Sequence, residues 1–236
     1  MRVLLVEDDP ATSCAVEAAL SRASFVVNAT DSGEEAIDLA RRYDYDLILL
    51  DLGLPDISGR EVLRQIRGQR VTTPVMVLSA DETVDSKVVS LHGGADDYVT
   101  KSVDRQELVA RVRTLIRRAQ GHAQSVIHVG PLALDLDTKL VQVAGRPVHL
   151  SGKEYSVLEL LAIRKGRTVT KETMLSHLYG SLFEPEIKIV EVFVCKLRRK
   201  IAEATGGDSL IETVWGRGYL LRDLAAVKGT DSTVRA

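Results

Sequence analysis

Cysteine is scarce. The two in this 236-residue chain, Cys14 and Cys195, fall one in each half, both inside helical patterns. With no CxxC and no His/Cys ligand spacing, a disulfide framework and a thiolate metal centre are excluded. Long apolar runs are missing too: none approaches the roughly 18 residues of a membrane-crossing helix. Met1-Arg2-Val3 leads straight into a strand pattern, leaving no room for a signal peptide. The expectation is a soluble, cytoplasmic protein with no membrane partner. Internal repeats and low-complexity tracts are absent. So is a glycine-rich nucleotide loop: where G-x-G-x-x-G would follow the first apolar run stands the anion-repelling Glu7-Asp8-Asp9-Pro10.

What is present divides in two. The length suits two domains, and the charge is split between them. Residues 1–120 carry 15 basic and 20 acidic side chains, residues 121–236 carry 16 and 13. An acidic first half suits a divalent cation, a basic second half a polyanion. In the first half, apolar runs at 2–6, 25–29, 46–50, 75–79 and 97–100 alternate with helical patterns at 10–21, 34–42, 59–67, 84–92 and 104–118. Continuous apolar runs are strands buried on both faces, and five such units predict a flavodoxin-like (βα)5 parallel sheet. Ligands of such a sheet bind outside the carboxyl ends of its strands. There the sequence delivers Glu7, Asp8 and Asp9, then Asp51, then Ser79, then Lys101.

A carboxylate that attacks a phosphoryl group forms an acyl phosphate, and the transfer needs mainly electrostatic positioning. Asp8 and Asp51, with Glu7 acting through water and the Gly53 carbonyl, form an oxygen set suited to Mg²⁺. Lys101 supplies a point charge for the phosphate. A dehalogenase-type phosphotransferase would want a second acid two positions after Asp51, where Gly53 stands. Glu7, Asp8, Asp51, Ser79, Tyr98 and Lys101 resemble the motif residues of two-component receiver domains. The resemblance implies Asp51 as phosphoacceptor, Ser79 and Tyr98 as the switch, and a histidine kinase or phosphotransfer protein as donor. One position departs from it: receivers usually have a proline, joined by a cis bond, after the lysine, and here Ser102 follows. A cis bond before a non-proline residue costs roughly 2.5–4 kcal/mol. Either the strain is tolerated, or the bond is trans and the Lys101 loop is displaced.

The second half follows a polar link at 119–125. Alternating residues at 126–136, 140–143 and 148–150, with a turn at Ala144-Gly145-Arg146-Pro147, predict a small antiparallel sheet. Ser151-Gly152-Lys153-Glu154 is a capping-box signature that opens a helix, and a second helix starts near Thr170. A third, near 186–203, sets Ile187, Val190, Val194 and Leu197 on one stripe and Lys188, Lys196, Arg198, Arg199 and Lys200 elsewhere. A hairpin closes the domain, with Arg217 between two glycines at its tip. Three helices and a basic-tipped hairpin predict a winged helix-turn-helix, its third helix in a major groove and its wing in a minor groove.

Glu154-Tyr155, Lys196-Leu197-Arg198-Arg199-Lys200 and Thr213-Val214-Trp215-Gly216-Arg217-Gly218-Tyr219 resemble the effector domain of the OmpR/PhoB response regulators. His149–Tyr155, Glu184–Ile189 and Val192–Arg198 are similar to cell-cycle regulators within that family. The resemblance implies contacts to double-stranded DNA from Lys188, Val192, Phe193, Cys195 and Lys196 at base edges. It puts Arg198, with Arg199, on the backbone and Arg217 in the minor groove, over A·T-rich TTAA-type half-sites. Val192 fits a core position equally well. The resemblance also implies a homodimer on phosphorylation, with pairs Lys87–Glu107, Asp97–Arg111 and Asp96–Arg118 between subunits. The expected layout is a receiver at 1–118, a linker at 119–125, a DNA-binding domain at 126–223 and a disordered tail at 224–236. The function so implied is that of a phosphorylation-controlled, non-enzymatic transcription regulator acting on the nucleoid. The alternative is a phosphorylation-independent DNA-binding regulator with a degenerate receiver.

Overall fold

The structure is a computed structural model that describes residues 1–179, 186–207 and 210–222. The expected tail at 224–236, together with Asp223 and Glu184-Pro185, lies outside the described residues. Two compact units divide between Gly121 and His122.

The first unit alternates β1 (Arg2–Val6), α1 (Pro10–Arg22), β2 (Val26–Thr30), α2 (Gly33–Arg42), β3 (Leu47–Leu50), α3 (Gly59–Gly68), β4 (Val75–Ser79), α4 (Val84–His92), β5 (Asp97–Thr100) and α5 (Arg105–Ala119). The strands form one parallel sheet in the order β2-β1-β3-β4-β5. The strand order reverses between β1 and β3, and that is where such sheets open a binding crevice. Every residue of β3 and β4 is buried, as the apolar runs require of strands covered on both faces. One core packs Leu4, Val6, Ile48, Leu50, Val75 and Val77 against Ala36, Val62, Leu63 and Ile66. Each large aliphatic side chain buried there contributes roughly 1.5–3 kcal/mol.

Polar signals set the helix starts. Ser32, Ser58, Thr83 and Asp104 each accept a backbone N–H of the first turn that follows. Asp56, which precedes α3, caps α2, accepting Gly33 N at 3.0 Å, Glu34 N at 2.9 Å and Ser32 Oγ at 2.8 Å. Gly59 lets α3 start against the sheet, because a Cβ there would lie 2.0 Å from the Asp51 carbonyl oxygen.

The second unit opens with an antiparallel sheet of β6 (Val126–Val129), β7 (Leu132–Asp135), β8 (Val141–Val143) and β9 (Arg146–Pro147), paired in that order. There follow α6 (Gly152–Ile163), β10 (Val169–Thr170), α7 (Lys171–Tyr179), α8 (Lys188–Thr205), β11 (Ile211–Val214) and β12 (Gly218–Leu221). β12 pairs with β11 on one side and β10 on the other. The capping box at Ser151 and Glu154 is formed.

Four expectations need correction. The turn after β8 is only two residues: Ala144 and Gly145 both have positive φ, at 50° and 74°, as a type I′ hairpin demands. Arg146–Pro147 is therefore strand, and 148–150 is not. Ile187 lies before α8 and is exposed, whereas Ile201 completes the buried stripe with Val190, Val194 and Leu197. Helix α5 runs through Ala119, so the link is shorter than 119–125. Within that link His122 belongs to the second unit, where its Nε2 lies 2.9 Å from the Ile163 carbonyl oxygen at the end of α6.

Candidate functional site

The acid site is built from the residues just past three strands. Glu7 N donates to Thr30 O at 3.0 Å, Asp51 N to Val6 O at 2.9 Å and Lys101 N to Ser79 O at 2.9 Å. The backbone ladder thus extends one residue beyond each strand and aims the next side chain into the crevice. Glu7 and Asp51 are buried, Lys101 is partly buried and Asp8 is exposed. The Lys101 ammonium bridges the two buried acids, donating to Glu7 Oε1 at 2.7 Å and Asp51 Oδ2 at 2.8 Å. Asp51 Oδ1 accepts the Leu52 N–H at 2.6 Å.

Electrostatics leave this site short of positive charge. Carboxylate oxygens of Glu7, Asp8 and Asp51 lie within 4.8 Å of one another, with Lys101 the ammonium reaching into them. Burial pushes Glu7 up from the ordinary carboxylate value, opposed by its hydrogen bond from Lys101. For Lys101 burial works downward, but the hydrogen bonds to Asp51 and Glu7 prevail and raise it. Glu7 Oε2 is buried with no hydrogen-bond partner. Such an atom costs on the order of 1–3 kcal/mol or more until something satisfies it. A hard cation with an all-oxygen shell fits this donor set. A Cβ at Gly53 would meet Asp51 Oδ2 at an ordinary contact distance of 3.7 Å, which places this backbone beside the carboxylate.

The Lys101–Ser102 bond is trans, as no cis peptide occurs among the described residues. The loop is nevertheless not displaced: Lys101 reaches Asp51, and Ser102 Oγ lies 2.9 Å from Thr100 Oγ1 and donates to Glu82 at 3.2 Å. Ser79 is buried and its Oγ accepts the Asp81 N–H at 3.2 Å. Tyr98 is buried as well.

The second candidate surface is the outer side of α8 and the wing. Lys188, Val192, Cys195, Lys196 and Arg199 are exposed, and Phe193 is half-buried. At 49 % exposure Val192 is not a core residue. Arg198, expected on phosphate, is turned toward the wing in this structure. It donates to Ile211 O at 3.1 Å and Thr213 Oγ1 at 2.7 Å, and its guanidinium lies 5.6 Å from the Tyr219 ring centre. Bonded to the carbonyl and hydroxyl of β11, Arg198 braces the hairpin. Gly218 (φ 151°) lies so close to β10 that a Cβ would come within 2.1 Å of the Val169 carbonyl oxygen. Arg217 is exposed at the tip.

Residues 3–113 match the response regulator receiver domain, and residues 145–221 match the C-terminal domain of transcriptional regulatory proteins. The cell cycle transcriptional regulator CtrA of Caulobacter vibrioides is 56 % identical over 223 residues, covering 94 % of this chain and 96 % of that protein. The cell cycle response regulator CtrA of Brucella ovis matches with the same identity and coverage. The chain belongs to the CtrA family of response regulators. Among solved structures, the OmpR/PhoB homologue DrrB of Thermotoga maritima is 28 % identical with a TM-score of 0.46, covering 94 % of this chain and 98 % of that one.

The charged residues expected between subunits of this CtrA-family chain are partly engaged within it. Arg111 donates to Glu107 at 2.8 Å and to Asp97 at 3.2 Å. Asp96 accepts from Arg67 and from Val75 N, both at 2.8 Å. Lys87 is half-buried and Arg118 exposed. Sequence reasoning missed two features. Val84, Val88 and Leu91 stand exposed along α4 at 72 %, 43 % and 44 %, in the i, i+4, i+7 spacing that marks one helix face. Trp215 stands exposed on the wing, although its motif was in plain view.

Proposed function

We propose that this chain is a phosphorylation-controlled transcription regulator of the cell cycle, not an enzyme acting on other substrates, with Asp51 as its phosphoacceptor. An Asp51 carboxylate oxygen attacks the phosphorus of a donor, and the bond from phosphorus to the donor's leaving atom breaks. A histidine kinase or phosphotransfer protein is the donor suited to a receiver. Lys101, already 2.8 Å from Asp51, holds the negative charge of the arriving phosphoryl group. Ser79, at the end of β4, offers its hydroxyl to a phosphoryl oxygen. Glu7, Asp8, Asp51 and the Gly53 carbonyl would hold Mg²⁺, which neutralises charge on the transferred group.

The observation that carries this reading is the Lys101 bridge beside a buried, unpartnered Glu7 oxygen. It also disfavours a degenerate receiver. Incubation with Mg²⁺ and a small phosphodonor should give a base-labile mass increase, absent in a folded Asp51→Asn protein. Undiminished labelling of Asp51→Asn would sink the assignment.

The output we propose is a homodimer that binds two A·T-rich half-sites on the nucleoid, in the cytoplasm. The apolar stripe of α4 beside the charged residues of β5 and α5 supports that face as the dimer contact. Lys188, Val192, Phe193, Cys195 and Lys196 face the major groove in this reading, Arg199 the backbone and Arg217 the minor groove.

A further inference from the structure

We infer that Trp215 is a DNA-contacting residue of the wing, its indole lying against the sugar wall of the minor groove that Arg217 enters. The inference rests on the DNA-binding reading above and adds a residue to it. Trp215 is 90 % exposed, more than any other large hydrophobic side chain among the described residues. An indole offers on the order of 200 Å² of contact area, and water exacts roughly 25 cal/mol for each apolar Å² left uncovered.

The fold cannot cover it from within. Arg217 N donates to Val214 O at 3.0 Å and closes the turn, and Gly216 takes a φ of 71° that a side chain would resist. Gly218 is pressed on the Val169 carbonyl, and Arg198 ties the other strand at Thr213 and Ile211. A hairpin fixed at both ends presents its tip rigidly, so the indole is held outward rather than left to collapse.

Charge decides what covers it. Trp215 and Arg217 flank one open cleft with Lys171, Glu172, Ile187 and Glu191. Lys171 pairs with Glu191 at 2.5 Å and also attracts Glu172, so the acids of the cleft are offset from within it. Beyond it α8 exposes Lys188, Lys196 and Arg199. That balance favours a polyanion over an acidic protein surface. The indole is apolar with one N–H donor and no acceptor. It suits a groove of sugar edges whose base atoms, at A·T pairs, are acceptors only.

Trp215 is the one tryptophan of the chain, so its emission reports this position alone. Titrating the full chain with a duplex carrying two A·T-rich half-sites should shift the emission to the blue and shield it from acrylamide. Trp215→Ala should bind that duplex about tenfold more weakly, and Trp215→Phe should recover part of the loss. Gel retardation with unaltered emission and quenching overturns the inference alone, as does wild-type affinity of Trp215→Ala. If the wild-type chain retards no duplex, the DNA-binding reading falls and this one with it.

Discussion

The Tyr98 hydroxyl donates to the Asp81 carbonyl oxygen at 2.6 Å, inside the loop that leads from β4 to α4. The same hydroxyl lies 3.3 Å from Ser86 Oγ, which in turn accepts from Arg60 Nη2 at 2.9 Å. The β4–α4 loop and α4 therefore hold the ring directly in the unmodified chain, and α3 supports it through Ser86. Tyr98, a switch residue together with Ser79 by the family resemblance, is thus buried and hydrogen-bonded in the unmodified chain.

Removing that hydroxyl should loosen the switch. Tyr98→Phe leaves the ring's packing but orphans the Asp81 carbonyl, at a cost of about 0.5–1.5 kcal/mol in urea unfolding. Asp51 labelling should persist, while phosphodonor-induced dimerisation, followed by sedimentation, should weaken. Wild-type dimerisation in the variant would show that the tyrosine is core and no more.

The dimer face gives a sharper test. Single surface ion pairs are worth roughly 0–1 kcal/mol, and Arg111 already satisfies Asp97 and Glu107 within one chain. In the proposed dimer the charges would select register, and the apolar face of α4 would supply the free energy. Val88→Asp should abolish phosphodonor-induced dimerisation, whereas Asp97→Arg should reduce it and release Arg111. Dimerisation indifferent to Val88→Asp rules out α4 as the contact.

Acid should act through Asp56. Its carboxyl is held far below the ordinary 3.8, chiefly by the Glu34 N–H, then by those of Gly33 and Ile57 and by the Ser32 hydroxyl. A depressed carboxylate stabilises the fold fully above its unfolded value, and that contribution fades as pH falls from there toward the folded value. Stability measured by chemical unfolding should therefore decline below about pH 4. Asp56→Asn should be less stable at neutral pH and show a shallower decline. Identical pH profiles would mean that the cap at Ser32 suffices without Asp56.

The receiver was legible because its signals are local. The apolar runs of β1, β3 and β4 are buried strands and β2 a half-buried edge, each Ser, Thr or Asp before a helix is its cap, and the acids and Lys101 sit just past strand ends. What stayed hidden depends on partners distant in sequence. Nothing around Val169–Thr170 marks a strand until β12 pairs with it. Arg198 reads as a phosphate contact from its basic neighbours, and only the approach of Thr213 reveals a brace. Ser102 looked like a threat to Lys101 because the role of its hydroxyl toward Thr100 and Glu82 is written in tertiary structure.

On DNA, the residues of α8 and the wing should separate by kind. Lys196, exposed on the helix, should read a base edge, so Lys196→Ala should cost about 1–3 kcal/mol and relax preference at one position. Arg199→Ala should weaken all sequences alike and flatten the salt slope by about one unit. Arg198→Ala should do neither in isolation: by freeing β11 it should lower the melting temperature and erode every wing contact together. Arg217→Ala should weaken sites with A·T flanks more than those with G·C flanks, since a narrow groove concentrates negative potential. Binding isotherms on both flank types at several salt concentrations distinguish these. If Arg217→Ala lowers both affinities equally, Arg217 contacts phosphate and the wing tip takes its sequence preference from elsewhere.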